Sequence, residues 1–322
     1  MHPTRRDALH STLGLLAAAA LPTASAQPTY PSSPIRFVIS TPAGGGHDGM
    51  MRVLGAKLTA PMGVPCIVES RPGASGAIAI TSVARAAPDG HTLLVIHSGL
   101  LTNLVLLAAP GYKLSDLVPV SMLVLTPIAI GVRTSLGVNT LQDYVALAKE
   151  NPKKLSFGSY GPGSGGHFVG ELLNMAAGID TVHVPYKGEA PAMQDLLGEQ
   201  IDAAVVSLGA VSRYPGKIKA LAVSSTVRSP RYPDVPTFFE AGFPAVNMPG
   251  WGAVLAPAGT PPAVVKRLAD ELNRAIMLPD VAAQMLELGF DSVGWEPKRL
   301  GSFMDQQLVL IKDLVGSGRV KL

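Results

Sequence analysis

Two glycine-rich segments carry the chemistry this sequence can offer. The first is Pro42-Ala43-Gly44-Gly45-Gly46-His47-Asp48, and the second is Gly161-Pro162-Gly163-Ser164-Gly165-Gly166-His167. Each follows an apolar β-type run, ending at Ser40 or Ser159, and each opens a helical pattern. Loops so placed lie at the carboxyl end of a strand, where open α/β sheets bind ligands. A helix N-terminus leaves backbone N–H groups unpartnered and carries partial positive charge, so it favours an anion. Glycine lets a ligand approach the main chain closely. The dipole supplies about 0.3–1 kcal/mol at an exposed terminus, and each hydrogen bond to a charged group adds roughly 1.5–3 kcal/mol. Several such bonds would hold a carboxylate without any Arg or Lys. The competing interpretation of either segment is a plain tight turn.

Other chemistries fit less well. Gly161, Gly163 and Gly166 satisfy G-x-G-x-x-G between a strand and a helix. A dinucleotide site also needs an acidic residue at the end of the next strand for the ribose. Val184-Pro185-Tyr186-Lys187 stands there instead, and Glu189 comes only after the turn. G-x-S-x-G is absent: Ser75 has Ala77 after it, and Ser164 has Pro162 before it. His47, His167 and His183 lack H-E-x-x-H spacing, and Cys66 is the single cysteine, so neither a zinc site nor an internal disulfide is expected. No catalytic residue, metal or cofactor is expected. His167 is expected to cap or line the second loop, His183 to be a satisfied sheet histidine, and Cys66 to be inert core packing.

The elements that must position these loops alternate along the chain. Strands are expected over 35–40, 64–69, 92–97, 155–159, 181–184, 203–207, 218–224 and 251–256. Helices are expected over 49–58, 76–87, 140–150, 167–177, 190–197, 281–288 and 300–314, with another starting from a Thr260 N-cap and Pro261. The apolar run 118–132 is broken at Pro127. The alternation is that of α/β layers, and non-alternating strands such as Leu93-Leu94-Val95-Ile96 suit a sheet covered on both faces. The length of 322 residues fits about two domains. No Gly/Ser linker divides them, so two α/β lobes joined by crossovers near Thr126 and Asn247 are expected, with the C-terminal helices returning to the first lobe. Lobe 1 is assigned to 27–125 plus 248–322 and lobe 2 to 126–247.

Hydrophobic residues make up 47% and charged residues 15%, enough to bury a large core. The net charge is +3 and no Lys/Arg run exceeds two, which removes the footprint of a nucleic-acid binder. Residues 1–26 read as an export signal: Arg5 and Arg6, then the apolar core Leu13 to Leu21, then Ala24-Ser25-Ala26. The paired arginines leave the twin-arginine and ordinary secretion routes both open. The apolar core is far shorter than the roughly 20 residues of a spanning helix. The mature chain should start near Gln27 and be a soluble periplasmic protein.

Taken in order, these residues resemble the Bug/TctC family of periplasmic solute-binding receptors. The likeness rests on Tyr30-Pro31-Ser32-Ser33-Pro34-Ile35-Arg36, the first glycine loop, and Glu69-Ser70-Arg71-Pro72-Gly73-Ala74-Ser75-Gly76. It continues through Ala87-Pro88-Asp89-Gly90-His91-Thr92-Leu93-Leu94 and His183-Val184-Pro185-Tyr186-Lys187-Gly188. Arg228-Ser229-Pro230, Pro233-Asp234-Val235-Pro236-Thr237 and Leu255-Ala256-Pro257-Ala258-Gly259-Thr260-Pro261 complete it. The resemblance implies a two-lobed, type II periplasmic binding fold with two doubly wound sheets that closes on a small carboxylated solute. It implies a two-subunit membrane permease or a sensor as partner. It puts the ligand against Thr41, Pro42, Ala43, Gly44, Gly45, Gly46, His47, Asp48 and Ser98 on one side. Tyr160, Gly163, Ser164, Gly165, His167, Ser207 and Leu208 form the other side. Ser207-Leu208 stand where the family commonly carries an Asp-Asn pair, which is expected to remove a carboxylate and an amide from the cleft. A preference for an apolar or aromatic monoacid over an amino acid would follow. The alternative is an exported hydrolase or dinucleotide-dependent oxidoreductase.

Overall fold

The computed structural model describes residues 30–318 apart from residue 226; the expected export signal lies outside the described residues. The chain opens with β1 (Ile35–Ile39), β2 (Cys66–Ser70), β3 (Thr92–Ile96) and β4 (Leu117–Thr126). It continues with β5 (Ile128–Arg133), β6 (Ser156–Ser159), β7 (Val182–Pro185), β8 (Ala203–Ser207) and β9 (Ile218–Ser224), and ends with β10 (Gly250–Pro257) and β11 (Asp291–Trp295). These strands form two sheets, ordered β11-β4-β10-β3-β1-β2 and β7-β6-β8-β5-β9.

The two sheets share one plan. In each, three strands run parallel: β2-β1-β3 in the first and β7-β6-β8 in the second. A strand arriving from the other sheet then inserts antiparallel. β10 lies between β3 and β4, and β5 lies between β8 and β9. The sheets are therefore mixed, where the sequence pattern pointed to parallel layers. Pro127 explains the first crossing. It has no N–H for a ladder, so the apolar run splits there, and β4 ends one residue before it and β5 begins one residue after.

Among the described residues, ten helices cover the sheets: α1 (Gly46–Met62), α2 (Ala77–Ala84), α3 (Gly99–Leu106), α4 (Leu141–Glu150) and α5 (Gly165–Ala177), then α6 (Glu189–Leu197), α7 (Leu208–Val211), α8 (Pro262–Ile276), α9 (Pro279–Glu287) and α10 (Pro297–Gly316). β3 shows why the strands read as continuous apolar runs. Leu94 and Ile96 face one core cluster, while Leu93 and Val95 face another with Met50 and Leu54 of α1. Local signals placed several ends. Thr140 and Asp143 form a reciprocal capping box on α4, and Gly178 closes α5 in the left-handed region. Thr260 does not cap α8: Pro261 holds that position, and the Thr260 hydroxyl donates to the Pro257 carbonyl instead. The sequence pattern missed α3, α7 and β11. The C-terminal helix α10 packs on β4 and α3, and also on α5, so it reaches both sheets' layers rather than the first alone.

Candidate functional site

The first glycine loop leaves β1 and turns into α1. Gly45 is the N-cap in an extended conformation with no side-chain cap. Asp48, in the first turn and 4% exposed, does the holding. Its Oδ2 accepts from the Gly44 amide at 3.0 Å and from Arg52 Nε at 2.8 Å. These bonds keep its carboxyl below the usual carboxylate range. His47 packs between His97 and Phe290, with ring centroids 5.8 and 5.3 Å away. Burial first, then the neighbouring His97, lowers His47 to about 3, so it is neutral. Ser98 directly precedes α3, where its carbonyl accepts from the Leu101 and Thr102 amides. Pro42, Ala43 and Gly44 are exposed, and the Thr41 carbonyl accepts from Ser70 Oγ.

One feature sets this loop apart. Among the described residues, seven buried side-chain polar atoms have no hydrogen-bond partner, and four belong here: Ser40 Oγ, Thr41 Oγ1, His47 Nε2 and Asp48 Oδ1. Buried polar atoms in folded proteins are nearly always satisfied. A cluster of unsatisfied ones marks a place where a further polar group, from solvent or solute, is required.

The second loop leaves β6 and turns into α5. Ser164 caps the helix by accepting from the His167 amide at 3.3 Å. The Gly163 amide donates to His167 Nδ1 at 3.1 Å. The His167 ring stacks on His183 with centroids 3.8 Å apart and planes 11° apart. His183 Nε2 lies 2.7 Å from Ser159 Oγ, which in turn donates to the Gly161 carbonyl. His183 is thus the satisfied sheet histidine expected of it, and His167 does line the loop. Burial lowers both to about 4, with His167 adding to the effect on His183. Tyr160 lies against Gly165 and Gly166 at the start of α5, and burial and the Glu189 charge raise its pKa.

Each loop engages some of its own amides. Gly44 is engaged by Asp48, Gly163 by His167, and His167 by Ser164. The side chains of the loops fold back onto their own N–H groups, which spacing alone does not reveal.

A cavity of about 340 Å³ lies beside the crossing at Thr126 and Pro127. Glu189, Ser207, Leu208 and Arg213 line it from the second sheet's side, Arg231 and Tyr232 from the segment after β9, and residues 286–291 from the first sheet's side. Of the candidate residues only Ser207 and Leu208 line it. The rest fall into two groups, one at the carboxyl end of β1 and β3, the other at the carboxyl end of β6. The first group touches the cavity's wall indirectly: a Cβ on Gly46 would stand 2.9 Å from the Phe290 ring. Sequence reasoning missed Glu189 as part of the site. Its carboxylate accepts from the Ser207 amide at 2.8 Å and from Ser207 Oγ at 2.7 Å. Ser207 and Leu208 bring no carboxylate of their own, but α6 places one beside Ser207. The only available signal was an acidic residue at a helix start, which is common and points nowhere.

Comparison with known proteins accords with this arrangement. The family described as "Tripartite tricarboxylate transporter family receptor" matches residues 50–317. Protein BugT of Bordetella pertussis is 35% identical over 285 residues, covering 87% of each chain. A TctC solute-binding protein from Polaromonas, solved with no ligand, superposes with a TM-score of 0.82 at 29% identity, covering 90% of this chain and 100% of that one. Rhodopseudomonas palustris supplies two more: Rpa4515 with adipate (TM-score 0.72, 28% identity, 89% and 97% covered) and MatC with bound malate (0.69, 29%, 89% and 100%).

Proposed function

Because this chain belongs to the tripartite tricarboxylate transporter receptor family, we propose that it captures a small carboxylate between its two sheets and delivers it for uptake or sensing. The observation that carries this reading is the group of unsatisfied hydroxyl and imidazole groups at the first glycine loop, Ser40 Oγ, Thr41 Oγ1 and His47 Nε2, beside a helix start whose partial charge suits an anion. The second loop clasps the solute from the other sheet. Closure is a hinge motion about the crossings near Thr126 and Asn247, which divide residues 27–125 plus 248–322 from 126–247. Related structures hold adipate and malate, so carboxylates are the first solutes to try. The protein acts in the periplasm after cleavage near Ala26, binds without catalysing, and hands its solute to a two-subunit permease or a sensor. Among the described residues no helix is long and apolar enough to cross a membrane.

A thermal-shift screen of small acids tests the reading. At free ligand 100-fold above Kd, binding stabilises the fold by about 2.7 kcal/mol. Asp48→Ala releases the Gly44 amide and Arg52 together, so calorimetry should find the best acid bound about tenfold more weakly or worse. No shift with any acid, or turnover of a bound one, would overturn the proposal.

A further inference from the structure

We infer that Glu189 makes this receptor select a solute bearing a cationic nitrogen as well as a carboxylate, and reject dicarboxylates of the same length. The inference rests on carboxylate capture as proposed above. Glu189 sits half-buried at the start of α6 and lines the cavity beside the crossing. Each of its oxygens accepts one hydrogen bond from Ser207. A carboxylate offers about four acceptor positions, so one on each oxygen stays open. Glu189 forms no ion pair among the described residues.

The other charges around the cavity do not neutralise it. Arg231 is engaged: its Nη1 donates to the Leu286 carbonyl at 2.7 Å and lies 3.5 Å from Glu287 Oε1. Asp291 accepts from Ser229 Oγ at 3.1 Å. Arg213 is exposed at the rim and forms no ion pair among the described residues. Three carboxylates thus line the cavity with two guanidiniums, one of them already held. A second carboxylate on the solute would meet like charge at Glu189. An ammonium would meet an unpaired carboxylate whose orientation is fixed by Ser207, so little rotamer freedom is lost on binding. The cavity's apolar residues, Leu208, Leu288 and Phe290 among them, suit a methylene chain between the two charged ends.

Calorimetry with matched pairs tests this: adipate against 6-aminohexanoate, and succinate against 4-aminobutanoate. The amino acid of at least one pair should bind about tenfold more tightly. Glu189→Gln should erase that preference while the melting temperature holds. Asp305→Asn, which removes an exposed carboxylate of α10 outside the cavity lining, should keep it. Dicarboxylates bound as tightly as their partners would overturn the inference and leave carboxylate capture standing. So would a preference unchanged in Glu189→Gln, or lost equally in Asp305→Asn, since overall charge rather than Glu189 would then set it. If no acid of any kind binds, both the inference and the function it rests on fall.

Discussion

Gly166→Ala should destabilise the protein and weaken its hold on ligand in one step. α5 lies so close to the second sheet that its inward face has no room for a side chain. A Cβ on Gly166 would run into the Val205 carbonyl of β8 and stand 3.0 Å from the Tyr160 ring. Gly165 meets Ile128 at 2.6 Å, and Gly170 runs into the Phe157 ring. A flexible side chain could move aside, but β8 is the middle strand of its sheet and its backbone cannot. The helix must therefore shift. Overpacking of this kind costs roughly 1–3 kcal/mol, and the shift carries the 161–164 loop and its amides with it. Urea unfolding should show the midpoint fall, and calorimetry should show affinity fall by more than stability explains. Gly316→Ala, with nothing near its Cβ, should leave both unchanged. A Gly166→Ala protein with the parent's midpoint and affinity would refute this account of how α5 is seated.

Acid should unfold the protein through its histidines before its carboxylates. Burial holds His47 at about 3 and His167 and His183 at about 4, and it lowers His97 as well. In the unfolded chain each titrates near about 6.5. Above that pH all four are neutral in both states and the full stability is present. As pH falls from about 6.5 towards 4, the unfolded chain takes up protons that the fold refuses. Each fully buried histidine then removes up to about 1.4 kcal/mol per pH unit, and half-buried His183 less, because solvent screens it. Against a typical net stability of roughly 5–15 kcal/mol that loss is large. Asp48, Asp143, Glu240 and Asp280 are held below their usual range, so their contributions disappear only at lower pH. Asp291, raised by burial, works in the opposite direction. In the fold His167 takes a proton only near about pH 4, where the acceptor of the Gly163 amide becomes a donor, so ligand affinity should fall there rather than in the window above. Urea midpoints should drop steadily between about pH 6.5 and 4.5, and His183→Asn should flatten the slope. A midpoint constant across that range would sink the prediction.

Much of this was legible in the chain because it is local. A glycine loop after an apolar run announces a strand, a turn and a helix start, since each signal lies within a few residues of its effect. Thr140 with Asp143, Gly178 after α5, and the break at Pro127 are of that kind. So is the family resemblance, which rests on many short segments in fixed order. Two of the elements that were missed lacked such signals. α3 starts without a side-chain cap, and β11 is half-buried with an irregular register against β4.

Sequence alone therefore determined that two glycine turns sit at the ends of strands, and that the chain builds two α/β layers able to seat an anion. Tertiary structure decided which donors remain open there. Glu189 reaches Ser207, His167 stacks on His183, Tyr160 covers the start of α5, and Phe290 closes against Gly46. The physical reason is range. Backbone conformation follows from neighbours along the chain, whereas a hydrogen bond needs its two groups within about 3 Å. Only the packing of distant helices and strands brings them that close.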